Sequence, residues 1–185
     1  DEHIFSLRNK NMSDYTIYLN YPEVTSTYSR SAYLPFVNIP TVYESNNDDV
    51  RYIKWFSVAT GYFSKFNVDN KVKFFPKMPL IKLSEMYLIL SECYLGNDDV
   101  KAQSYINTLR NHRIRNNTNW GYLTMDYITQ EAKREFIGEG QLWYMYKRLD
   151  MGVPTSSGVV GTVPPSDKIF VFPMPLKEIE TGNRN

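Results

Sequence analysis

The chain has 185 residues, of which 42% are hydrophobic, and it carries a formal net charge of +1 at pH 7. That length is enough for one domain with a hydrophobic core. The near-neutral charge argues against nucleic acid as a partner, because nucleic-acid-binding domains usually carry a basic patch or a high pI. No stretch is apolar for long enough to predict a membrane-spanning helix. Aromatic residues make up 15% of the chain, a composition that suits stacking on sugars as well as core packing.

The first residues of the sequence indicate whether the chain has been processed. Asp1-Glu2-His3 lacks the basic and apolar segments of a secretory signal peptide, and no initiator methionine is present. We therefore expect a fragment or a processed product of a longer chain.

Cys93 is the single cysteine, which excludes an internal disulfide bond. Because it lies in an apolar helical pattern, we expect a buried structural thiol.

The N-terminal region, residues 1–76, is predicted to be an irregular, aromatic-rich loop region. Residues 4–7 suggest a short strand. Residues 15–43 are rich in Tyr, Ser, Thr, Asn and Pro and have no helical period, which is typical of long ordered loops. Residues 46–49 are a turn or helix-start signal. Two further strands are predicted at Arg51 to Phe56 and Lys71 to Phe75.

A helical hairpin is predicted next. Residues 79–95 should form the first helix, with Pro79 at its first position and Gly96 as its C-cap. Its apolar stripe is Leu80, Leu83, Tyr87, Leu90 and Tyr94. Asp98 or Asp99 is expected to cap a second helix that runs to about Ile114. The second helix should bury Ala102, Tyr105, Ile106 and Leu109. Because the link is short, the two helices must pack antiparallel.

A third helix is predicted from Met125 to Leu149. Thr124 can cap it, and Gly138 and Gly140 should weaken or bend it midway. Residues 150–167 contain several Gly and Pro turn signals, so we expect a loop. Lys168 to Phe172 is a candidate edge strand.

The sequence predicts no metal site, no cofactor and no nucleophilic residue. His3 and His112 are far apart in the sequence, and a single cysteine cannot complete a zinc site at these spacings. No G-x-S-x-G motif and no phosphate-binding glycine loop occurs.

Three glutamates on one predicted helix face are the strongest catalytic candidates. Glu131, Glu135 and Glu139 recur at four-residue spacing. Arginines occur nearby in the second and third helices, at positions 110, 113, 134 and 148. Ion pairs between packed helices explain this pattern more simply than a pair of catalytic carboxyls, so we predict no catalytic residue. The basic cluster of Arg110, Arg113 and Arg115 is expected to be a solvated helix end.

Four segments, in chain order, resemble the SusD/RagB family of outer-membrane nutrient-binding lipoproteins. Residues 79–92, PLIKLSEMYLILSE, resemble its P-L-I-R-L-A-E-x-Y-L-x-x-A-E helix. Residues 105–110, YINTLR, resemble its x-I-N-x-x-R segment. Residues 131–143, EAKREFIGEGQLW, resemble E-R-R-x-E-L-x-F-E-G-x-R-W, and residues 172–179, FPMPLKEI, resemble P-I-P-x-x-E. Upstream, residues 49–51 match a common D-x-R.

The resemblance implies a fold, a place in the cell and a role. The fold would be mainly α, with a TPR-like helical hairpin, a third helix, long irregular loops and a few short β-strands. Residues 77–185 would be the C-terminal helical region of one structural unit. Such proteins are surface-exposed lipoproteins of the outer membrane, and here the lipid anchor would lie outside the chain. They bind glycans or other small nutrients, without cleaving them, for a SusC-type TonB-dependent transporter.

A non-catalytic glycan site needs flat aromatic rings together with groups that hydrogen-bond to hydroxyls. In the family such residues usually come from loops. The predicted glycan-binding residues are therefore Tyr28, Arg30, Tyr33, Asn38, Tyr43, Trp55 and Trp120. Two other functions stay open at this stage, a helical-repeat scaffold that binds proteins and a glycoside hydrolase.

Overall fold

The computed structural model describes residues 2–8, 42–43, 48–56, 65, 77–154, 161–175 and 182. The chain forms two compact units, residues 1–138 and residues 139–185. Helices predominate in the described part, as the sequence predicted, and the strands are short. None of the described helices is long and apolar enough to cross a membrane. The predicted strand at residues 71–75 and most of the predicted loop at residues 15–43 lie outside the described residues.

A two-stranded antiparallel sheet opens the first unit. Strand β1, His3–Arg8, pairs with strand β2, Lys77–Lys82, and confirms the strand predicted around residues 4–7. The prediction that a helix begins at Pro79 is wrong, since Pro79 lies opposite Ser6 in the sheet. Proline is tolerated there because both strands of a two-stranded sheet are edge strands. Pairing with β1 gives the backbone of this segment hydrogen-bond partners, whereas the N–H groups in the first turn of a helix have no partner within the helix.

The predicted helical hairpin follows this sheet. Helix α2, Leu83–Tyr94, packs against helix α3, Asp99–Asn111, and also contacts a later helix of the unit. Gly96 has a φ of 80°, which only glycine adopts without strain, so it reverses the chain after α2. The Asp98 side chain accepts a hydrogen bond from the Lys101 N–H at 3.1 Å, which confirms the predicted cap.

The buried faces of the hairpin differ in how well they were predicted. In α3, Ala102, Ile106 and Leu109 are buried as expected, and Tyr105 is half-buried. In α2 the prediction is wrong in part, because the fully buried residues are Ser84, Leu88 and Ser91. The predicted stripe of α2 is half-buried or exposed.

Cys93 is exposed, and the expectation of a buried thiol is wrong. It lies two residues beyond the buried Ser91. Since each residue turns a helix by about 100°, that spacing places Cys93 on the far side of α2.

Residues 50–55 form a helix, which contradicts the strand predicted from Arg51. Helix α1, Val50–Trp55, begins after Asp49, whose side chain accepts a hydrogen bond from the Arg51 N–H at 2.9 Å. Asp49 also forms an antiparallel bridge with Ile114. The helix-start signal at residues 46–49 therefore predicted this segment correctly. The aromatic residues that follow favour a strand by intrinsic propensity, and that prediction was wrong.

The predicted third helix is two helices. Helix α4, Met125–Phe136, begins at Thr124, whose hydroxyl accepts a hydrogen bond from the Tyr127 N–H, and this confirms the predicted cap. Helix α5, Gln141–Arg148, lies in the second unit. Gly138 and Gly140 both have a φ of 78°, so the glycines expected to bend the helix end it instead. Glu139 therefore does not continue the helix face of Glu131 and Glu135.

The second unit also contains a short hairpin and a short helix. Strand β3, Val153–Pro154, pairs antiparallel with strand β4, Thr162–Val163, inside the region predicted to be a loop. Helix α6, Asp167–Phe170, replaces the predicted edge strand. The Phe170 ring is buried and packs edge-on against Trp143 at 5.3 Å, so tertiary packing decides the conformation of this short segment.

Candidate functional site

The seven predicted glycan-binding residues divide between described and undescribed parts of the chain. Four of them, Tyr28, Arg30, Tyr33 and Asn38, lie outside the described residues. Tyr43 and Trp55 lie together in one hydrophobic cluster, and Trp120 lies in the link between α3 and α4.

Tyr43 is a core residue, with 1% of its surface exposed. Its ring packs against Phe56 at 5.6 Å, and Ile137 belongs to the same cluster. Its hydroxyl donates a hydrogen bond to the Arg134 carbonyl oxygen at 2.7 Å. Burial raises the pKa of this hydroxyl, so it stays a hydrogen-bond donor at any ordinary pH.

Trp55 packs at the edge of this cluster and is half-buried. The Lys65 ammonium lies 4.0 Å from the centre of its ring, a distance at which a cation is attracted to the ring face. The same ammonium donates a hydrogen bond to the Glu135 carbonyl oxygen at 2.7 Å, near the end of α4. One face of Trp55 is therefore occupied by a cation.

Trp120 is held from two sides. The Asn107 side chain donates to the Trp120 carbonyl oxygen at 3.0 Å and accepts from the Trp120 N–H at 2.8 Å. The Arg110 guanidinium lies 3.7 Å from the centre of the Trp120 ring. Tyr127 contributes a second ring at 4.8 Å. Trp120 thus has a fixed backbone and a fixed ring.

Tyr122 was missed by the sequence reasoning. It is 68% exposed, and its ring meets that of Tyr127 edge-on at 6.4 Å. The signal was present in the sequence, since Tyr122 follows Trp120 by two residues in the same asparagine-rich link.

A buried charge network fills the space between α1, α3 and α4. Glu131 is fully buried, and one of its carboxylate oxygens lies 3.1 Å from both Arg110 Nη1 and Arg134 Nη1. Its other oxygen lies 2.7 Å from Arg51 Nη1. Arg51 also donates hydrogen bonds to both carboxylate oxygens of Asp49 and so links Asp49 to this network.

Glu135 is the second anionic centre of this network. Its carboxylate accepts two hydrogen bonds from Arg113, at 3.0 and 2.9 Å, and one from Arg51 at 3.1 Å. Lys82 Nζ lies 3.9 Å away, and Arg113 also binds the carboxylate of Glu2. The predicted ion pairs between packed helices are confirmed. Arg110 and Arg113 are buried, so the prediction of a solvated helix end is wrong for them.

These partners decide the protonation state of both glutamates. Burial alone raises the pKa of Glu131, but the nearby guanidinium groups of Arg51, Arg134 and Arg110 outweigh it and lower the pKa below its ordinary 4.5. Glu135 follows the same pattern, because its hydrogen bonds from Arg113 outweigh desolvation and lower its pKa. Both carboxyls are therefore ionised and paired with cations, as structural ion pairs are. Within the described residues, no group of His, Cys, Asp and Glu side chains could hold a metal ion.

Comparison with known proteins identifies the fold family. The model of the SusD family matches residues 7–179. The chain belongs to the SusD family. A solved relative is the crystal structure of a SusD superfamily protein from Bacteroides thetaiotaomicron VPI-5482, with a TM-score of 0.73 and 21% sequence identity over 97% of this chain. This chain spans 47% of that structure's length. No curated protein matches it.

The segments that resemble SusD-family motifs meet in the buried network. The D-x-R segment supplies Asp49 and Arg51, and the I-N-x-x-R segment supplies Arg110. The E-x-x-x-E spacing supplies Glu131 and Glu135. In this SusD-family chain, those motif residues therefore hold α1, α3 and α4 together.

Proposed function

We propose that this SusD-family protein binds glycans, without cleaving them, at the outer-membrane surface and delivers them to a SusC-type TonB-dependent transporter. The observation that carries the proposal is the family match over residues 7–179. The chain spans about half of its solved relative, so the role of the whole protein is inferred from the family.

The buried carboxylates favour binding over hydrolysis. A glycosidase needs one carboxyl with a raised pKa as general acid and a second one across the substrate cleft. Glu131 and Glu135 both have lowered pKa values, and each contacts at least three cationic side chains. Neither can donate a proton to a glycosidic oxygen near neutral pH.

We propose that the aromatic and polar loop residues contact the glycan. Direct contacts are assigned to the four candidates that lie outside the described residues and to the two half-buried tryptophans, namely Tyr28, Arg30, Tyr33, Asn38, Trp55 and Trp120. Tyr43, whose ring is buried, is assigned to support because it packs beneath Trp55.

Isothermal titration against soluble polysaccharides and their oligosaccharides tests the binding function, with chromatography of each mixture afterwards. We expect saturable binding to at least one glycan and an unchanged oligosaccharide profile after prolonged incubation. Shortened products that scale with protein concentration would contradict the non-catalytic proposal.

Delivery and location need a separate experiment in cells. We expect the protein to resist washing from outer membranes with high salt, to be digested by protease added to intact cells, and to co-purify with a TonB-dependent transporter in mild detergent. A protein that is released by salt, or that purifies without a transporter, would contradict this part of the proposal.

A further inference from the structure

The link between α3 and α4 carries an aromatic surface that extends beyond the single predicted residue there. We call Trp120, Tyr122 and Tyr127 the link platform. Tyr127 contacts both of the others, with its ring centre 4.8 Å from that of Trp120 and 6.4 Å from that of Tyr122. Tyr122 is 68% exposed, so a large part of its ring is open to solvent.

The link platform is anchored to the buried network. Asn107, itself buried, holds the Trp120 backbone through two hydrogen bonds. Arg110 stacks on the Trp120 ring while its Nη1 binds Glu131. A surface held this way loses little conformational freedom when a ligand binds, which favours affinity for a weakly interacting ligand.

Asparagine side chains precede the link platform in the sequence. Asn117 donates hydrogen bonds to the side-chain oxygens of Asn111 at 2.7 Å and Asn119 at 3.2 Å. Asn119 is exposed and directly precedes Trp120. An asparagine amide offers two donors and an accepting oxygen, the set of groups that sugar hydroxyls can pair with.

We propose that the link platform binds a neutral saccharide ring. The apolar face of the sugar would stack on Tyr122, and the exposed amide of Asn119, which Asn117 holds through a hydrogen bond, would bind its hydroxyls. An exposed ring and an exposed, uncharged amide in the same link match a neutral saccharide better than an anionic one. This inference rests on the proposed function and adds Tyr122 and Asn119 to the residues that contact the glycan.

The test is affinity electrophoresis of the whole natural protein in gels containing amylopectin, xyloglucan or galactomannan. Tyr122→Ala should weaken binding about tenfold on the polysaccharide that retards the wild type, because it removes the stacking ring. Tyr122→Phe should stay within about threefold, since it keeps the ring. Tyr144→Ala is the matched control, because Tyr144 is a tyrosine with 74% exposure in the other unit, and it should bind as the wild type does.

The outcomes separate the two proposals. If the wild type is retarded and Tyr122→Ala is retarded equally, the link platform is overturned and the binding function stands. If the wild type is retarded by none of the three polysaccharides, both proposals are overturned. An equal loss in Tyr144→Ala would also overturn the link platform. Thermal unfolding midpoints equal to that of the wild type would verify that each variant is folded.

Discussion

Arg51 and Glu131 are the central pair of the buried charge network. Arg51 has 1% of its surface exposed, yet its guanidinium reaches three carboxylates, those of Asp49, Glu131 and Glu135. The planar, multidentate guanidinium suits this role, whereas a lysine would offer a single point charge. Each charge in the network is tolerated in the interior because its partners remain in place.

Removing one carboxylate should therefore be costly. Glu131→Gln keeps the shape of the side chain but leaves Arg51, Arg110 and Arg134 without their shared anion. We expect the free energy of unfolding to fall by about 3 kcal/mol or more. Urea titration followed by circular dichroism measures this. Asp126→Asn, which changes an exposed carboxyl in the first turn of the same helix, should lower it by less than about 1 kcal/mol, and equal losses in both variants would contradict the assignment.

The exposure of Cys93 leads to a simple chemical prediction. Because Cys93 is the single cysteine and is exposed, the native protein should release one equivalent of thionitrobenzoate from Ellman's reagent without denaturant. Leu88→Ala, at a buried position of the same helix, leaves this count unchanged and serves as a control for local packing. A native protein that reacts only after guanidinium is added would show that another part of the protein covers this face of α2.

At the scale of elements, backbone conformation decides where helices end. Gly138 and Gly140 take left-handed conformations between α4 and α5. The periodic pattern of apolar residues continues across both glycines, which is why the sequence alone suggested one bent helix. The left-handed φ angles are incompatible with a continuous right-handed helix.

A matched pair of glycine substitutions tests this. A Cβ at Gly140 or at Gly121 would meet nothing within 4 Å, but Gly140 has a φ of 78° and Gly121 is not in the left-handed region. Gly140→Ala should therefore lower the unfolding free energy by about 1 kcal/mol from backbone strain alone. Gly121→Ala should be neutral or slightly stabilising, because it restricts the unfolded chain. Thermal unfolding compares the two, and equal effects would contradict the strain argument.

Prediction of elements succeeded at two helix caps and on one helix face, and it failed for several short segments and at the glycines that end α4. The caps at Asp98 and Thr124 and the buried face of α3 followed from residue type and spacing. The segments at residues 50–55, 77–82 and 167–170 were assigned wrongly. Each is six residues or fewer, and at that length tertiary partners outweigh intrinsic propensity.

The candidate site was predicted only in part, for a related reason. Composition marks aromatic residues but does not distinguish a ring that fills the core from one that faces water. Tyr43 was expected to bind glycan and is buried, whereas the exposed Tyr122 was not singled out. Trp120 was correctly placed in a polar link, but its contact with Arg110 depends on the packing of α3 against the link.

At the scale of the whole molecule, the charge network makes stability depend on pH. The pKa values of Glu131, Glu135 and Glu2 are all lowered from their ordinary 4.5 in the folded state. Below about that pH the unfolded chain therefore binds more protons than the folded one, and unfolding becomes more favourable as pH falls. Above it, these groups are ionised in both states and their stabilising contribution is complete.

We expect the contribution of these three carboxyls to the unfolding free energy to be nearly constant from pH 7 to about pH 5. Below about pH 4.5 it should fall steadily. Urea titrations across this range measure it. Glu2→Gln should reduce the slope, because it removes one carboxyl whose pKa is lower in the folded than in the unfolded state. Stability that rises on acidification would contradict the inferred ionisation.

The same network explains why distant segments of the first unit belong together. Residues 2, 49–51, 82, 110–113 and 131–135 meet through ion pairs, although they are separated by up to 133 positions in the sequence. Because removal of one charged group leaves the others buried without their partner, the segments should unfold together rather than one by one.

The sequence alone determined the helical hairpin, its caps, the ion-pairing role of the glutamates and the resemblance to the SusD family. These depend on residue type and short-range spacing, which act before the chain has folded. Only the tertiary structure decided which rings face solvent, where the short segments pair and which arginines are buried. Those outcomes depend on contacts between residues far apart in the chain, where desolvation and charge pairing outweigh any local preference.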